Sequence, residues 1–154
     1  MTLKWPNDVI ANGKKLCGIL SEASWIGSDL GAVIVGIGLN VRTRFDDPAF
    51  HHPGTSIEAE LGYSVNRFDV LRALLARIDY WAAQIGDPAL FEAWRANLGT
   101  LGKQVTVASG PPDAPDTIMR GVAESVDETG ALFVRLESGD LERVLAADVG
   151  LAES

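Results

Sequence analysis

Apolar positions change their spacing several times along the chain, and each change predicts an element. Over 9–22, Val-Ile-Ala and Leu-Cys-Gly-Ile-Leu flank Asn12-Gly13, a dipeptide that tolerates the positive φ angles of a type I′ turn, so a hairpin is expected. A turn is read at Ser28-Asp29-Leu30-Gly31. The unbroken apolar run from Ala32 to Val41 then has strand length, and a run apolar on both faces is expected in the middle of a covered sheet. Periodicity disappears over 42–56, a stretch of Pro, Asp, His and Gly long enough to form a lid. A helical spacing follows. Ser56 caps a short helix that stops at Gly62, and Asn66 caps a long one with Phe68, Leu71, Leu74, Leu75, Ile78, Trp81, Ala82 and Ile85 in a stripe expected to pack on the sheet. Gly86 ends it, Asp87-Pro88 opens another, and Phe91, Trp94 and Leu98 are expected to face inward.

After Gly99 and Gly102 the spacing returns to strands, over 103–108, 118–126, 131–136 and 141–145, separated by Gly110-Pro111-Pro112, 127–130 and 138–140. Short strands with turns at such intervals predict a small barrel. The fold class is therefore α+β, a mixed or antiparallel sheet with packed helices followed by the barrel, with domains over 1–98 and 103–151.

Composition narrows the function. The 154 residues carry a net charge of −8, which argues against a nucleic-acid partner, since phosphate binding needs clustered Lys and Arg. One cysteine, Cys17, excludes an internal disulfide, and no apolar stretch reaches the roughly 18–20 residues of a membrane span. With Lys4 to Asp8 following Met1 at once, no leader is expected, and the cytoplasm is the expected compartment. No fixed-period repeat is visible.

Candidate chemistry gathers around the hairpin. Pro6 lacks a backbone donor and holds Trp5 extended, so Asn7 and Asp8 enter at a kink where polar groups can face a cleft. Lys15 opens the second strand, and Gly18 leaves space for a close approach to the backbone. Gly36 and Gly38, at alternate positions, flatten one face of the apolar strand, as suits a planar ligand; they equally suit a packed helix or a bulge. Asn40 at the strand end offers one donor and one acceptor in fixed geometry, or simply forms a turn. His51 and His52 point apart and lack acidic or Cys partners at ligand spacing, so no metal pair is expected there. The barrel strands carry acidic residues expected to form a solvated face.

The run KWPND at 4–8, KKLCGIL at 14–20 and GIGLNV at 36–41 resembles the biotin–protein ligases, in which such motifs follow in this order at similar spacing. Thr55-Ser56 before a helix and the terminal barrel extend the resemblance over essentially the whole chain. It implies part of a class II synthetase-like ligase domain and an SH3-like barrel, and an enzyme that activates biotin with ATP to biotinyl-AMP and transfers the acyl group to a lysine of a biotin carboxyl carrier protein. It further implies that Lys15 contacts acyl and phosphate oxygens, that Asn40 reads the adenine edge, and that Asn7, Gly36 and the backbone at Gly18 and Ile19 line the adenylate pocket. Phe45 or Phe50 would close on the adenine. Asp8 is placed to approach a Mg2+ ion on the phosphates, or to brace Lys4 or an upstream loop. The family's glycine- and arginine-rich biotin loop precedes KWPND, so the reading expects a carboxyl-terminal part with little activity alone, and association, including homodimers, through an exposed sheet edge. Two other classes fit the same residues: a carrier-binding or interaction module without catalysis, and a complementing subunit of a split ligase.

Overall fold

The structure, a computed structural model, describes residues 1–46, 53–110, 117–145 and 147–151. Two compact units divide the chain: the first takes in Met1–Thr2 and Asn7–Gly86, the second Leu3–Pro6 and Asp87–Ser154. Strand β1 (Thr2–Lys4) therefore runs from the first unit's opening residues into the second. The chain enters the first unit again at Asn7.

In the first unit β2 (Asp8–Ala11), β3 (Lys14–Ile26) and β4 (Asp29–Leu39) pair antiparallel in that order. The predicted turn is present: Asn12 and Gly13 have φ of 48° and 77°, both in the left-handed region that the type I′ connection needs. The second turn falls at Gly27-Ser28, earlier than expected, because Gly31 is an unpaired extra residue opposite the Ser24/Trp25 step and β4 starts before it. Helix α1 (Ile57–Leu61) has its expected cap, the Ser56 hydroxyl accepting from Ala59 N–H, and ends at Gly62 with φ 75°. Helix α2 (Arg67–Ala82) is capped by Asn66, whose Oδ1 accepts from Phe68 N–H.

Burial in this unit departs from the sequence reading. The apolar run of β4 lies at the sheet edge rather than in its middle, and Val33, Ile34 and Val35 are all more than half exposed. Helix α2 buries none of its residues, and Phe68 is 81% exposed. Spacing shows which side of an element is apolar, but burial requires a neighbour over that side. Among the described residues these faces are covered only in part, with Ile37 of β4 and Leu74 and Trp81 of α2 half-buried.

The second unit holds helix α3 (Pro88–Ala96) and an antiparallel sheet ordered β8-β7-β6-β5-β9, made of β5 (Gln104–Ser109), β6 (Thr117–Val126), β7 (Leu132–Leu136), β8 (Leu141–Val144) and β9 (Asp148–Leu151). Strand β9 was not anticipated. No pairing between β8 and β9 closes the ladder among the described residues, so the barrel expectation is met by a five-stranded sheet with two edges. Its inner face is dry: Val105, Val107, Ala123, Leu132, Val134 and Val149 are 0–2% exposed. Trp5 joins them at 1% exposure, its indole N–H donating to Gly130 O (2.9 Å) and its backbone N–H to the buried Thr100 hydroxyl (2.9 Å). The aromatic residue of the KWPND motif is thus a core residue here. Asp87 caps α3 with Pro88 in the first turn, and Phe91 and Trp94 pack against the same core, as expected.

Candidate functional site

The site is built by an irregularity in the hairpin. Asp8 pairs with Gly18 and Val9 with Cys17, but Ile10 pairs with Lys15, leaving Leu16 as an extra residue. Residues directly opposite in an antiparallel pair share a face, as do positions i and i+2 of a strand. Asp8 and Ile10 therefore share a face, and so do their partners Gly18 and Lys15. A regular strand would send Lys15 and Gly18 to opposite faces; the bulge at Leu16 brings the lysine round to the aspartate. Leu16 and Cys17, neighbours in sequence, are both buried as a result.

Lys15 Nζ lies 2.6 Å from Asp8 Oδ1, with the Lys15 side chain 47% and that of Asp8 13% exposed. This is an ion pair by distance; no directed hydrogen bond reaches Oδ1, whose solvent access is lost beneath the ammonium. Gly18 makes room for it, since a Cβ there would meet Lys15 Cε and Nζ at 3.3 Å and Asp8 Oδ1 at 3.5 Å. The space read from sequence as a ligand approach is taken by the lysine's own stem.

The same face continues into β4, where Gly38 stands opposite Gly18 and Gly36 opposite Leu20. A Cβ at Gly36 or Gly38 would meet only a backbone oxygen at 3.6–3.7 Å, an ordinary contact, so neither glycine is demanded by packing. The result is an open stretch at Gly36 and Gly38, with the Lys15 ammonium over Gly18 at one end and the exposed Leu20 side chain opposite Gly36. Ile19 N–H donates to Asn7 O (2.9 Å), and the Ile19 side chain points to the other face, leaving only its backbone near Gly18. Asn40 follows β4; its N–H donates to Leu16 O (3.0 Å) and its amide nitrogen is 3.5 Å from Lys15 O. Lys15, Asp8, Gly18 and Gly36 thus share a face, with Asn40 beside them at the strand end. Lys4 belongs to the second unit.

Segment 53–55 lies along the start of β3. Lys15 N–H donates to Pro53 O and Thr55 N–H to Lys15 O, both 2.9 Å. Thr55, 4% exposed, donates its hydroxyl to Glu60 Oε1 (2.6 Å), and Glu60 Oε2 accepts from Asn12 Nδ2 (2.5 Å). Sequence reasoning missed both this network and the bulge, and no local signal marks either. A cleft of about 630 Å³ opens beside this segment, lined by Lys14, Arg44, Phe45, Gly54 and Ser56 among others. It involves Lys14 and not Lys15, in keeping with alternation along the strand. Within it Arg42 is engaged, pairing with Glu58 (2.8 Å) and donating to Val65 O (2.6 Å). The Phe45 ring occupies the space a Cβ on Gly54 would need. Phe50, His51 and His52 lie outside the described residues.

Burial first, and then the negative charge of Asp8, raise the Cys17 thiol above its ordinary value, with Lys15 opposing. Cys17 is therefore a neutral, inert core group. No group of three His, Cys, Asp or Glu residues able to hold a metal occurs among the described residues. The one carboxylate at this face, Asp8, is engaged by the Lys15 ammonium. No helix among them is long and apolar enough to cross a membrane.

Comparison with known proteins bears on the chain's family and fold. Residues 1–40 match the biotin/lipoate A/B protein ligase family and residues 100–151 the biotin protein ligase C terminal domain. The chain is 34% identical over 145 residues to a biotin–[acetyl-CoA-carboxylase] ligase of Paracoccus denitrificans, covering 90% of this chain and 58% of that protein. It is 36% identical over 152 residues to a ligase of the same description from Mycobacterium tuberculosis, covering 96% and 52%. The solved biotin protein ligase from Aquifex aeolicus in complex with biotin and ATP superposes with a TM-score of 0.75 at 27% identity, over 99% of this chain and 62% of that one. The chain thus spans between about half and three-fifths of the length of these relatives. Two family matches in chain order, two relatives above 30% identity and a shared fold establish that the chain belongs to the biotin protein ligase family.

Proposed function

We propose that the face carrying Lys15 serves a biotin protein ligase: ATP-dependent activation of biotin to biotinyl-AMP, then transfer of the acyl group to a lysine of a biotin carboxyl carrier protein, in the cytoplasm. The observation that carries this reading is the Lys15–Asp8 pair, seated over Gly18 beside the open positions at Gly38 and Gly36. In the first step a carboxylate oxygen of biotin attacks the α-phosphorus, an O–P bond forms and pyrophosphate leaves. In the second the carrier's amine attacks the acyl carbon, loses a proton, and AMP leaves. Both transition states gather negative charge on oxygens, and a compact ammonium with three donors suits both. Asp8 holds that ammonium in place beforehand, which reduces the reorganisation needed when charge develops.

In this reading Asn7, Gly18, the Ile19 backbone, Gly36 and Asn40 line the adenylate, with the Asn40 amide reading the adenine edge. The catalytic portion is assigned to 1–98 and the barrel-like domain to 103–151, the latter supported by the C-terminal family match. Magnesium would be carried by ATP phosphate oxygens rather than by a protein cage, and no step is drawn through it. The lysine at this face is already paired with Asp8, which is little positive charge for a carboxylate and a triphosphate. The chain alone is accordingly expected to biotinylate poorly. The edge position of β4 and its half-exposed apolar side chains support association through that strand, with a second copy or a complementing chain.

The test is binding of a non-hydrolysable biotinyl-adenylate analogue by calorimetry. Lys15→Ala is expected to weaken it by roughly a hundredfold, in line with one charged donor worth about 3 kcal/mol in a sheltered site, while Lys14→Ala, facing the other way, changes little. Equal effects of the two substitutions would overturn the assignment of Lys15.

A further inference from the structure

The structure assigns Glu60 as a positioning residue for Lys15, an inference that rests on the reading of Lys15 above. Helix α1 is short and lacks buried residues of its own, yet it is tied to the site from both sides. At its start, Ile57 N–H donates to Asn40 O (2.9 Å) and Glu58 N–H to Val41 O (3.0 Å), so the two residues just after β4 take up donors the helix leaves free. At its end, the Glu60 carboxylate bridges Thr55 and Asn12. These partners lie on the two backbone stretches that frame Lys15: Asn12 is in the turn just before it, and Thr55 bonds its carbonyl oxygen.

The chemistry explains why a carboxylate stands here. Two donors, an amide N–H and a hydroxyl, converge from segments far apart in sequence, and an acceptor with two oxygens satisfies both at once. Thr55 is buried, so its hydroxyl needs that partner inside the protein. The turn residue Asn12, in the left-handed region, would otherwise spend its side chain on solvent. Fixed at both ends, the Lys15 backbone keeps the extra residue Leu16 in register, and that register turns the ammonium toward Asp8. Glu60 touches neither Lys15 nor the open stretch; it acts through the backbone.

The test uses the full 154-residue chain. Amide hydrogen exchange is measured by NMR at Lys15 and Thr55, whose N–H groups donate to Pro53 O and Lys15 O, with the β6–β7 amides as a control for overall stability. Glu60→Ala is expected to speed both site amides by about tenfold or more, since it removes two hydrogen bonds, one of them from a buried hydroxyl, and to leave the control unchanged. Glu60→Gln is expected to recover most of the protection: the carboxamide oxygen accepts from Asn12 while its NH₂ donates to the Thr55 hydroxyl, which can accept. Asn12→Gly keeps the turn but removes the tether and should give an intermediate effect; should Glu60→Ala not fold, these two variants decide. Unchanged exchange at Lys15 and Thr55 would overturn the inference. A second arm measures the adenylate analogue, for which Glu60→Ala should lose about tenfold in affinity and Glu60→Gln less. Faster exchange with undiminished affinity, where Lys15→Ala does lose affinity, would also overturn it and leave the proposed function standing. No loss in Lys15→Ala would instead sink the function reading, while the exchange data still judge the clamp.

Discussion

The two units use the same irregularity for different ends. In the second unit, β6 carries an extra residue between Ala123 and Ser125, so Ala123 and Val126, which a regular strand would set on opposite faces, both turn inward beside Val134 and Leu132. In the first unit the extra Leu16 brings Lys15 and Gly18 to one face. The bulge in β6 completes a dry core, and the bulge at Leu16 assembles a charged pair beside Gly36 and Gly38. The units diverge likewise in burial: the large apolar cluster, Trp5 included, belongs to the second, while β4 and α2 of the first leave theirs largely in solvent. A packed interior and an open face make opposite demands on side chains, and here the larger packed interior lies in the second unit.

The largest test of that division is a pair of aromatic truncations followed by denaturant unfolding. Trp5→Ala empties a fully buried site and strands the Gly130 carbonyl, and is expected to cost about 3–5 kcal/mol, whereas Phe68→Ala on α2 should stay within about 0.5 kcal/mol. A large loss at Phe68 would mean that something covers α2 in solution.

Next in size is Gly121→Ala. A Cβ there would collide with the Arg135 carbonyl oxygen and crowd Val134 Cγ1, and the opposing strand cannot move without breaking the β6–β7 ladder, so a loss of about 1–3 kcal/mol is expected. At Gly36 the same substitution meets only an ordinary contact and should leave the melting temperature nearly unchanged. If the two cost the same, the open stretch in the first unit is as tightly covered as the second unit's sheet.

A third contrast concerns the exposed edge. Ile34→Lys in β4 should alter stability by less than about 0.5 kcal/mol yet reduce self-association in sedimentation, because charge on an edge strand blocks edge pairing. Unchanged association would remove β4 as the sticking surface.

The smallest effect is one of pH. Asp127 accepts from the Thr129 hydroxyl, from Arg143 and from the Ala131 and Thr129 backbone N–H groups, which together hold its carboxyl at about 2, against a desolvation that acts the other way. Its folded value is depressed, so its contribution is present above the ordinary carboxylate value and is lost as pH falls toward 2. Asp127→Asn should therefore flatten the acid limb of stability between about pH 4 and 2 and leave the limb of the first unit alone. An unchanged acid limb would show that this turn does not contribute.

What the sequence alone determined is everything decided within a few residues. The Asn12-Gly13 turn, the caps at Ser56, Asn66 and Asp87 and the stop at Gly62 follow from φ preferences and from side chains that bond their own backbone neighbours, so their signals are local and were legible, whereas the long helix stops at Ala82, short of Ile85 and of the Gly86 expected to end it. Lys15, Asp8, Gly18 and Gly36 could be singled out by motif, but their sharing of one face depends on the extra residue at Leu16, which is fixed by pairing with another strand. The edge position of β4, the largely exposed stripe of α2 and the burial of Trp5 in the second unit's core are likewise tertiary facts. Hydrophobic spacing states which side of an element is apolar, and only the presence or absence of a neighbour decides whether that side is covered. Glu60 illustrates the limit: its partner Asn12 lies 48 residues away, and a carboxylate on a short helix gives no sign in sequence of which donors the fold will bring to it.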